Sequence, residues 1–393
     1  MQRETGQFVE TIAGGEATLA FVPAPLPPVP PIEAGALLRL LNDAQRALGR
    51  LDGVTLLLPS QELFLYMYVR KEAVLSSQIE GTQSTLTDLL LFEESARAGA
   101  PVDDVREVSN YVDAMMHGLA RLRELPLSLR LIREMHARLL DSGRGATKDP
   151  GSFRRSQNWI GGTRPGNALY VPPPPDRMDD CLRDLEAFIH EEASNLPPLI
   201  KAGLIHVQFE SIHPSLDGNG RIGRLLVTLY LCVFDGMEHP LLYLSLYLKE
   251  NRATYYRLLQ DVRETGAWEA WLEFFLRGVT ETANRAFDAA RRIAALFEAD
   301  RARIARGGAA AHSALRLHEL MQRSPFATAP RLVRETGLTT PTVNAALREL
   351  ERLGIVEGIT GKARGRVYAY EAYMRIFGEG TGPAEGPGPR PLR

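Results

Sequence analysis

Apolar residues recur at spacings of three and four from about residue 33 to 140, as in ALLRLLNDAQRALGRL and ELFLYMYVRKEAVLSSQIEG. That period predicts amphipathic helices. The pattern breaks over residues 148–175, KDPGSFRRSQNWIGGTRPGNALYVPPPP, where glycines and prolines punctuate two β-like runs, QNWI and ALYV, and predict a hairpin. Helical spacing resumes over 176–195 and continues to about 300. Residues 311–375 read as a separate unit. SALRLHELM and PRLVRETGL precede Thr-Thr-Pro, a cap followed by a first-turn proline that opens TVNAALRELERLG. Two β-like runs, GIVEGIT and RVYAYEAY, then follow around GKARG, which spells a winged helix-turn-helix. Ahead of all this, PAPLPPVPP at 23–31 predicts a semi-rigid lead-in strapped to the surface, and the Gly/Pro-rich residues 378–393 predict a disordered tail. The fold class expected is therefore mainly α, with a small β-hairpin and a C-terminal winged helix-turn-helix.

Composition narrows the class without deciding it. At 393 residues, two or three domains are expected, and 45% hydrophobic with 24% charged residues suits a globular core. A net charge of −2 supplies no whole-chain attraction to nucleic acid or membrane. Cys181 and Cys232 both lie in apolar contexts and read as buried thiols in a reducing compartment. The opening MQRETGQFVE has no secretory pattern, and Leu225 to Phe234 is too short to span a bilayer. A cytoplasmic protein with no membrane partner is the expectation. Between 311 and 375 there are ten Lys/Arg and six Glu, a local net of +4, with Arg348 and Arg352 on the second helix of the motif and Lys362, Arg364 and Arg366 on the wing. DNA binding and protein binding both stay open for that unit, the modest excess favouring protein.

The chemistry concentrates at 212–224, IHPSLDGNGRIGR. Gly218 and Gly220 let backbone approach an anion, and the helix beginning near Arg221 points its free N–H groups and positive dipole end at it. Arg221 and Arg224 are three apart, so both guanidinium forks reach the same side of the first turn. Asp217 suits Mg²⁺, which bridges carboxylates and phosphates, and His213 is a base titrating near neutral pH. A lone Gly-Asn-Gly is only a turn, and a lone histidine before proline is usually structural. Together in one run these groups describe phosphoryl or nucleotidyl transfer to a hydroxyl.

HPSLDGNGRIGR resembles the signature of the Fic family, HPFx(D/E)GNGRxxR, at every fixed position except Ser215, where the family has phenylalanine. WIGGTRPGNALYVPPPP resembles the family's flap, ENRATYYRLLQ and WEAWLEFFL the segments after its core, and VLSSQIEGT its inhibitory motif, Ser/Thr-x-x-x-Glu-Gly/Asn. The likeness runs over roughly 35–375. It implies an N-terminal helical region over 1–110 with the inhibitory motif, an all-helical Fic core with a hairpin flap over 111–300, and a winged helix over 301–377.

The resemblance further implies a protein adenylyltransferase that moves AMP from ATP, with Mg²⁺, to a Ser, Thr or Tyr hydroxyl of a target protein. His213 would be the base and Asp217 the Mg²⁺ ligand. The run Gly218, Asn219, Gly220, Arg221, Ile222, Gly223 and Arg224 would contact ATP, the Asn219 side chain orienting phosphates and Arg224 taking the γ-phosphate. Ile160, Gly161 and Gly162 would be the exposed part of a flap that docks the target. Tyr255 and Tyr256 either line the adenine pocket or pack an amphipathic helix. Ser76, Glu80 and Gly81 would form an intramolecular brake in which Glu80 pairs with Arg224 and displaces the γ-phosphate. In some relatives the same glutamate supports AMP removal. Self-modification, a homodimer, transfer of a different phosphate-containing group and a nucleotide-sensing transcriptional regulator without turnover all stay open. Ser215 is expected either to be compensated by neighbouring packing or to loosen the loop, with emptied space costing on the order of a few kcal/mol.

Overall fold

The computed structural model describes residues 3–55, 61–95, 102–191, 195–235, 237, 240–308, 310–359 and 366–382. It opens on an element that the helical reading of the N-terminal region passes over. Strands β1 (Gly6–Ala13) and β2 (Glu16–Pro23) pair antiparallel from Gly6 opposite Pro23 to Ala13 opposite Glu16. Gly14 and Gly15 close the turn at φ 51° and 84°, which glycine adopts without a Cβ clash. The proline segment that follows is strapped down as expected. Arg3 donates to the carbonyls of Pro30 and Pro31 and makes a bidentate pair with Glu269 at 2.6 Å.

Helices α1 (Ala34–Thr55), α2 (Gln61–Ile79), α3 (Leu86–Ser95), α4 (Val102–Arg121) and α5 (Leu129–Leu139) follow, then α6 (Pro175–His190), α7 (Pro198–Ile212) and α8 (Asn219–Phe234). The set continues with α9 (Ser245–Glu250), α10 (Arg252–Thr265) and the long α11 (Trp268–Ala305). PLIKAGLIHVQFESI is apolar on nearly every face, so α7 has no solvent side and is buried from Leu199 to Ile212. It packs against α8, α6 and α11, while α1 lies along α11 and α2 sits between α4 and α9. Trp271 donates its indole N–H to the carbonyl of Gly203 at 2.9 Å, and a Cβ on Gly203 would press on Leu272 and Phe275 of α11.

The C-terminal unit comprises α12 (Ala311–Arg323), β3 (Phe326–Thr328), α13 (Ala329–Thr336), α14 (Thr340–Arg352), β4 (Glu357–Gly358), β5 (Val367–Ala369) and α15 (Glu371–Phe377). Thr339 caps α14 through the N–H of Thr342, with Pro341 in the first turn. The sheet order β3-β5-β4 adds one strand to the expected two-stranded wing, because Phe326–Thr328 pairs with Val367–Ala369. Lys362 and Arg364 of the wing lie outside the described residues. The first five residues of the tail expected to be disordered, 378–382, are ordered. Thr381 is buried, and its carbonyl accepts from Gln78 of α2 at 3.0 Å, so residues 378–382 are packed onto the helical core. The rest of that tail, 383–393, lies outside the described residues. Among the described residues both cysteines are free, and no helix is long and apolar enough to cross a membrane.

A buried polar chain joins this unit to α11. The Tyr370 hydroxyl donates to Asp300 at 2.6 Å, His318 Nε2 shares a 3.2 Å hydrogen bond with the same hydroxyl, and Gln322 reaches His318 Nδ1 at 3.1 Å. Burial pushes His318 down to about 4, so its imidazole is neutral here. Tyr370→Phe leaves an Asp300 oxygen and His318 Nε2 short of a partner. The expected cost is about 1–3 kcal/mol in urea denaturation of the full chain.

Candidate active site

The site is built where α7 stops. His213, the C-cap residue, takes the left-handed conformation at φ 48° and ψ 60°, a strained choice for a residue with a Cβ. Arg154, 2% exposed, over-determines it. The Arg154 guanidinium donates to the carbonyls of His213 at 3.0 Å, Ile212 at 3.5 Å and Pro173, and its backbone N–H donates to Pro214 at 2.9 Å. The turn aims the imidazole into a cavity, where Nδ1 has no hydrogen-bond partner among the described residues and Glu210 Oε2 is 4.0 Å away. Burial, followed by the charges of Arg154 and Arg263, pushes His213 down to about 3. The imidazole is therefore neutral, and free to accept a proton, across the physiological range. Burial raises Glu210 to about 7.

The following loop is pinned by side chains that bond its backbone. Asn219 accepts from the Ser215 N–H and donates to the Ser215 carbonyl, both at 2.8 Å. Asn158 adds a 3.2 Å bond to that carbonyl. His136 donates Nε2–H to the Asp217 carbonyl at 3.0 Å while Nδ1 accepts from the Gly151 N–H at 2.9 Å, which fixes its tautomer. Gly218, at φ 79°, makes the left-handed step into α8. The first intrahelical bond runs from Ile222 N–H to Gly218 O, so the N–H groups of the turn before it point out of the helix end.

Two expectations are corrected here. The Asn219 amide is buried and committed to Ser215, so it shapes the loop instead of orienting phosphate. Ile222 and Gly223 face inward: Ile222 is buried, and a Cβ on Gly223 would press on Glu210 and Phe209. Ser215 is itself buried, and the Asn219 bonds hold its backbone independently of its side chain.

Arg224, with a side chain 3% exposed, donates Nε–H to Ser76 Oγ at 2.8 Å and Nη2–H to the Ser76 carbonyl at 3.0 Å and Glu80 Oε1 at 2.8 Å. Burial opposes its charge, but the Glu80 carboxylate more than offsets this and holds the guanidinium protonated. Helix α2 ends at Ile79, one residue earlier than a common helical face for Ser76 and Glu80 requires. Glu80 follows in a turn with Gly81 at φ 101°, and both residues still meet the same guanidinium. A methyl group on Gly220 would collide with Glu80 Oε1, so the carboxylate lies across the N-terminal turn of α8. Arg221 is also buried, 3.4 Å from Asp217 Oδ1 and 3.6 Å from Glu107 Oε2, with Nε and Nη1 making no hydrogen bond among the described residues.

His213, Glu210, Gly220, Arg224 and Glu80 open on a cavity of about 370 Å³, lined also by Tyr170, Tyr255, Tyr256 and Arg263, while Arg221 and Asp217 lie outside its lining. Tyr255 is a core residue whose hydroxyl bonds His206 Nε2 at 2.9 Å, and half-buried Tyr256 tilts against it at 5.0 Å. The flap is not the expected hairpin. Ile160 and Tyr170 form a single antiparallel bridge, and the Asn167 side chain accepts from the N–H groups of Thr163 and Arg164 to close the tip. The second run pairs elsewhere, the Val171 carbonyl accepting from Phe21 of β2 at 2.8 Å. Gly161 is buried, against expectation. Gly162 is exposed and Leu169, on the rim, is 62% exposed.

A model of the Fic/DOC family N-terminal region matches residues 38–120, and the Fic/DOC family model matches 126–231, across the whole loop just described. The chain contains a Fic/DOC domain preceded by a Fic/DOC N-terminal region. A winged helix-turn-helix DNA-binding model matches 312–357. The chain is similar to the protein adenylyltransferase Fic of Drosophila grimshawi, 33% identical over 190 residues, and to that of Drosophila melanogaster, 30% identical over the same length. In each case the match covers 47% of this chain and 36% of the relative's length. A crystal structure of a Fic family protein from Desulfovibrio desulfuricans G20 shares the fold at 21% identity and TM-score 0.56, covering 85% of this chain and 95% of that one. A Fic domain-containing signaling protein from Bacteroides thetaiotaomicron VPI-5482 gives TM-score 0.50 at 21% identity, covering 64% and 96%.

For Mg²⁺, this Fic domain offers one carboxylate. Asp217 exposes 40% of its side chain, and Oδ1 accepts from the Gly218 N–H at 2.6 Å. Among the described residues there is no cluster of three or more metal-ligating side chains. That donor set fits a hard cation completed by phosphate and water oxygens. Four supporting residues escape the motif: Arg154, His136, Arg263 and Glu210. Only Glu210 leaves a signal in the sequence, an acid three residues before His213 in an otherwise apolar run. Asn219→Ala separates a loop-shaping amide from a ligand-binding one. The unliganded protein is expected to lose about 1–3 kcal/mol in urea denaturation, whereas a pure ligand group would leave it unchanged.

Proposed function

We propose that the chain is a self-inhibited protein adenylyltransferase that moves AMP from ATP to a Ser, Thr or Tyr hydroxyl of a target protein, itself included. One observation carries the reading: a neutral, half-buried imidazole, the open N-terminus of α8 and a carboxylate-capped Arg224 all meet at one cavity. His213 takes the acceptor hydroxyl proton as the new oxygen–phosphorus bond forms at the α-phosphate and pyrophosphate leaves with the electrons of the broken bond. The N–H groups of the first turn of α8 and the unpartnered donors of Arg221 receive phosphate oxygens. Mg²⁺ bound at Asp217 would offset phosphate charge. The flap edge around Ile160 and Gly162 holds the acceptor segment in line through main-chain bonds.

Glu80 is the brake. Its carboxylate holds the Arg224 donor that the γ-phosphate requires and puts negative charge where that phosphate sits. Label transfer with Mg²⁺ and ATP carrying the label at the α- or γ-phosphate tests both parts. Glu80→Gly is expected to raise protein-bound α-label about tenfold or more, since each 1.4 kcal/mol of lost pairing opens the site tenfold. His213→Ala is expected to lower it by about 10²–10⁴-fold. Equal or lower transfer by folded Glu80→Gly removes the brake, and label from the γ-position alone removes the adenylyl assignment.

The pH profile is a further check. Because His213 is held at about 3, its acid limb lies far below the usual 6.5. An acid limb near pH 7 in kcat/KM would instead belong to Glu210, held at about 7, and is expected to vanish in Glu210→Gln.

A second reading, a nucleotide-sensing transcriptional regulator, is favoured by the winged-helix match. Among the described residues Arg352 pairs with Glu349 and Arg366 with Glu351, while Arg348 is exposed. Duplex DNA affinity that falls steeply with salt would support it.

A further inference from the structure

A second cavity, of about 330 Å³, lies between α2, α11 and the C-terminal segment, and shares no lining residue with the His213 cavity. Its size and its place between two units suit a small molecule. Tyr68, Leu75, Tyr243, Leu246 and Ala289 give it a largely apolar lining, the rings of Tyr68 and Tyr243 stacked at 5.2 Å. Its charged groups are mostly matched. Arg285 pairs with Glu250 at 2.9 Å and Glu281 at 2.5 Å, and Arg292 grips Glu379 at 2.9 and 2.7 Å. Two charged lining groups, Lys71 and Asp288, make no ion pair among the described residues. Lys71 has a carbonyl partner, Phe377 O at 3.0 Å, and no carboxylate within salt-bridge distance among the described residues. The Tyr243 hydroxyl is sealed in the core behind the ring face and is not offered to the cavity. An unmatched ammonium beside stacked rings calls for an anion on a flat apolar body.

The wall facing α2 is the segment that follows the winged helix. Ile376, Glu379 and Gly380 line the cavity. Just beyond them the chain is fastened at the brake. Gln78, two residues before Glu80, donates to the carbonyls of Thr381 at 3.0 Å and Ser84 at 2.8 Å. Lys249 donates to Gln78 Oε1 and the Gly382 carbonyl, both at 2.6 Å, and to Gly380 O at 3.3 Å. A molecule in the cavity touches α2 and this clasp together.

We propose that this cavity binds a small organic anion, a flat apolar body carrying one carboxylate, sulfonate or phosphate group directed at Lys71, and that its occupancy fastens residues 376–382 onto α2 and so favours the Glu80–Arg224 contact. The effect on activity rests on the function proposed above; the site and the fastening do not. Ligand that binds only the clasped form stabilises it by mass action.

Anilinonaphthalene sulfonate has this chemistry and serves as the probe, titrated by fluorescence into the full chain. Saturable binding is expected that excess ATP does not displace. Lys71→Met should weaken it about tenfold, as the loss of one charge-assisted contact does, and Ala289→Phe, which fills the cavity, should abolish it. Should Ala289→Phe fail to fold, Lys71→Met decides. In amide exchange, bound probe is expected to slow residues 376–382 and the end of α2. Absent binding, equal binding by Lys71→Met, or displacement by ATP overturns the site. Lys71-dependent binding with unchanged exchange at 376–382 overturns the fastening. Neither readout depends on transferase activity.

Discussion

A guanidinium sealed from water has to be answered by negative charge, and Arg224 is such a group. In this protein the answer comes from Ser76, near the end of α2, and Glu80, in the turn just after it, nearly 150 residues away in the chain. Under the proposed function a phosphate would compete with that carboxylate for the same cation, and the position of α2 would set the balance. Helix α2 is held by buried polar contacts as well as by apolar packing, Glu72 accepting from Tyr111 and Ser245, and Gln78 reaching the C-terminal segment. The site's resting charge balance is thus set by how the helices pack.

The loop between α7 and α8 solves a different problem. It has to present an imidazole to a cavity, turn sharply and open a helix N-terminus within six residues. The left-handed His213 and Gly218 make the two sharp steps. Arg154 and Asn219 stabilise them from behind by bonding to carbonyls and N–H groups of the loop itself. Such residues touch nothing in the cavity yet fix where its groups stand. Burial does the electrostatic tuning: it keeps His213 neutral and raises Glu210, so two titratable side chains one turn apart have their proton affinities reversed from the usual order.

The signature loop was legible from residues 212–224 alone because its groups are contiguous, and local spacing fixes their relation. The helical periods, the winged helix-turn-helix and the pairing of Glu80 with Arg224 were likewise readable, the last through resemblance to a family motif. The N-terminal hairpin was not read, although Gly14–Gly15 between alternating runs carries its signal, because the neighbouring proline run dominated that stretch.

What the sequence determined by itself is the set of chemical groups and their local geometry: a base, an acid, an anion-binding helix start and two arginines on one turn. Tertiary structure decided what each group does. It turned Asn219 inward to Ser215, because a buried loop must satisfy its backbone, and it held the flap's two runs to the single Ile160–Tyr170 bridge, with Val171 turned to β2, because prolines 172–174 have no N–H to extend a ladder. It packed residues 378–382 against α2 although their composition reads as disordered, since hydrogen bonds from Gln78 and Lys249 hold their carbonyls. These outcomes depend on desolvation and on partners distant in the chain, and neither is written in local spacing.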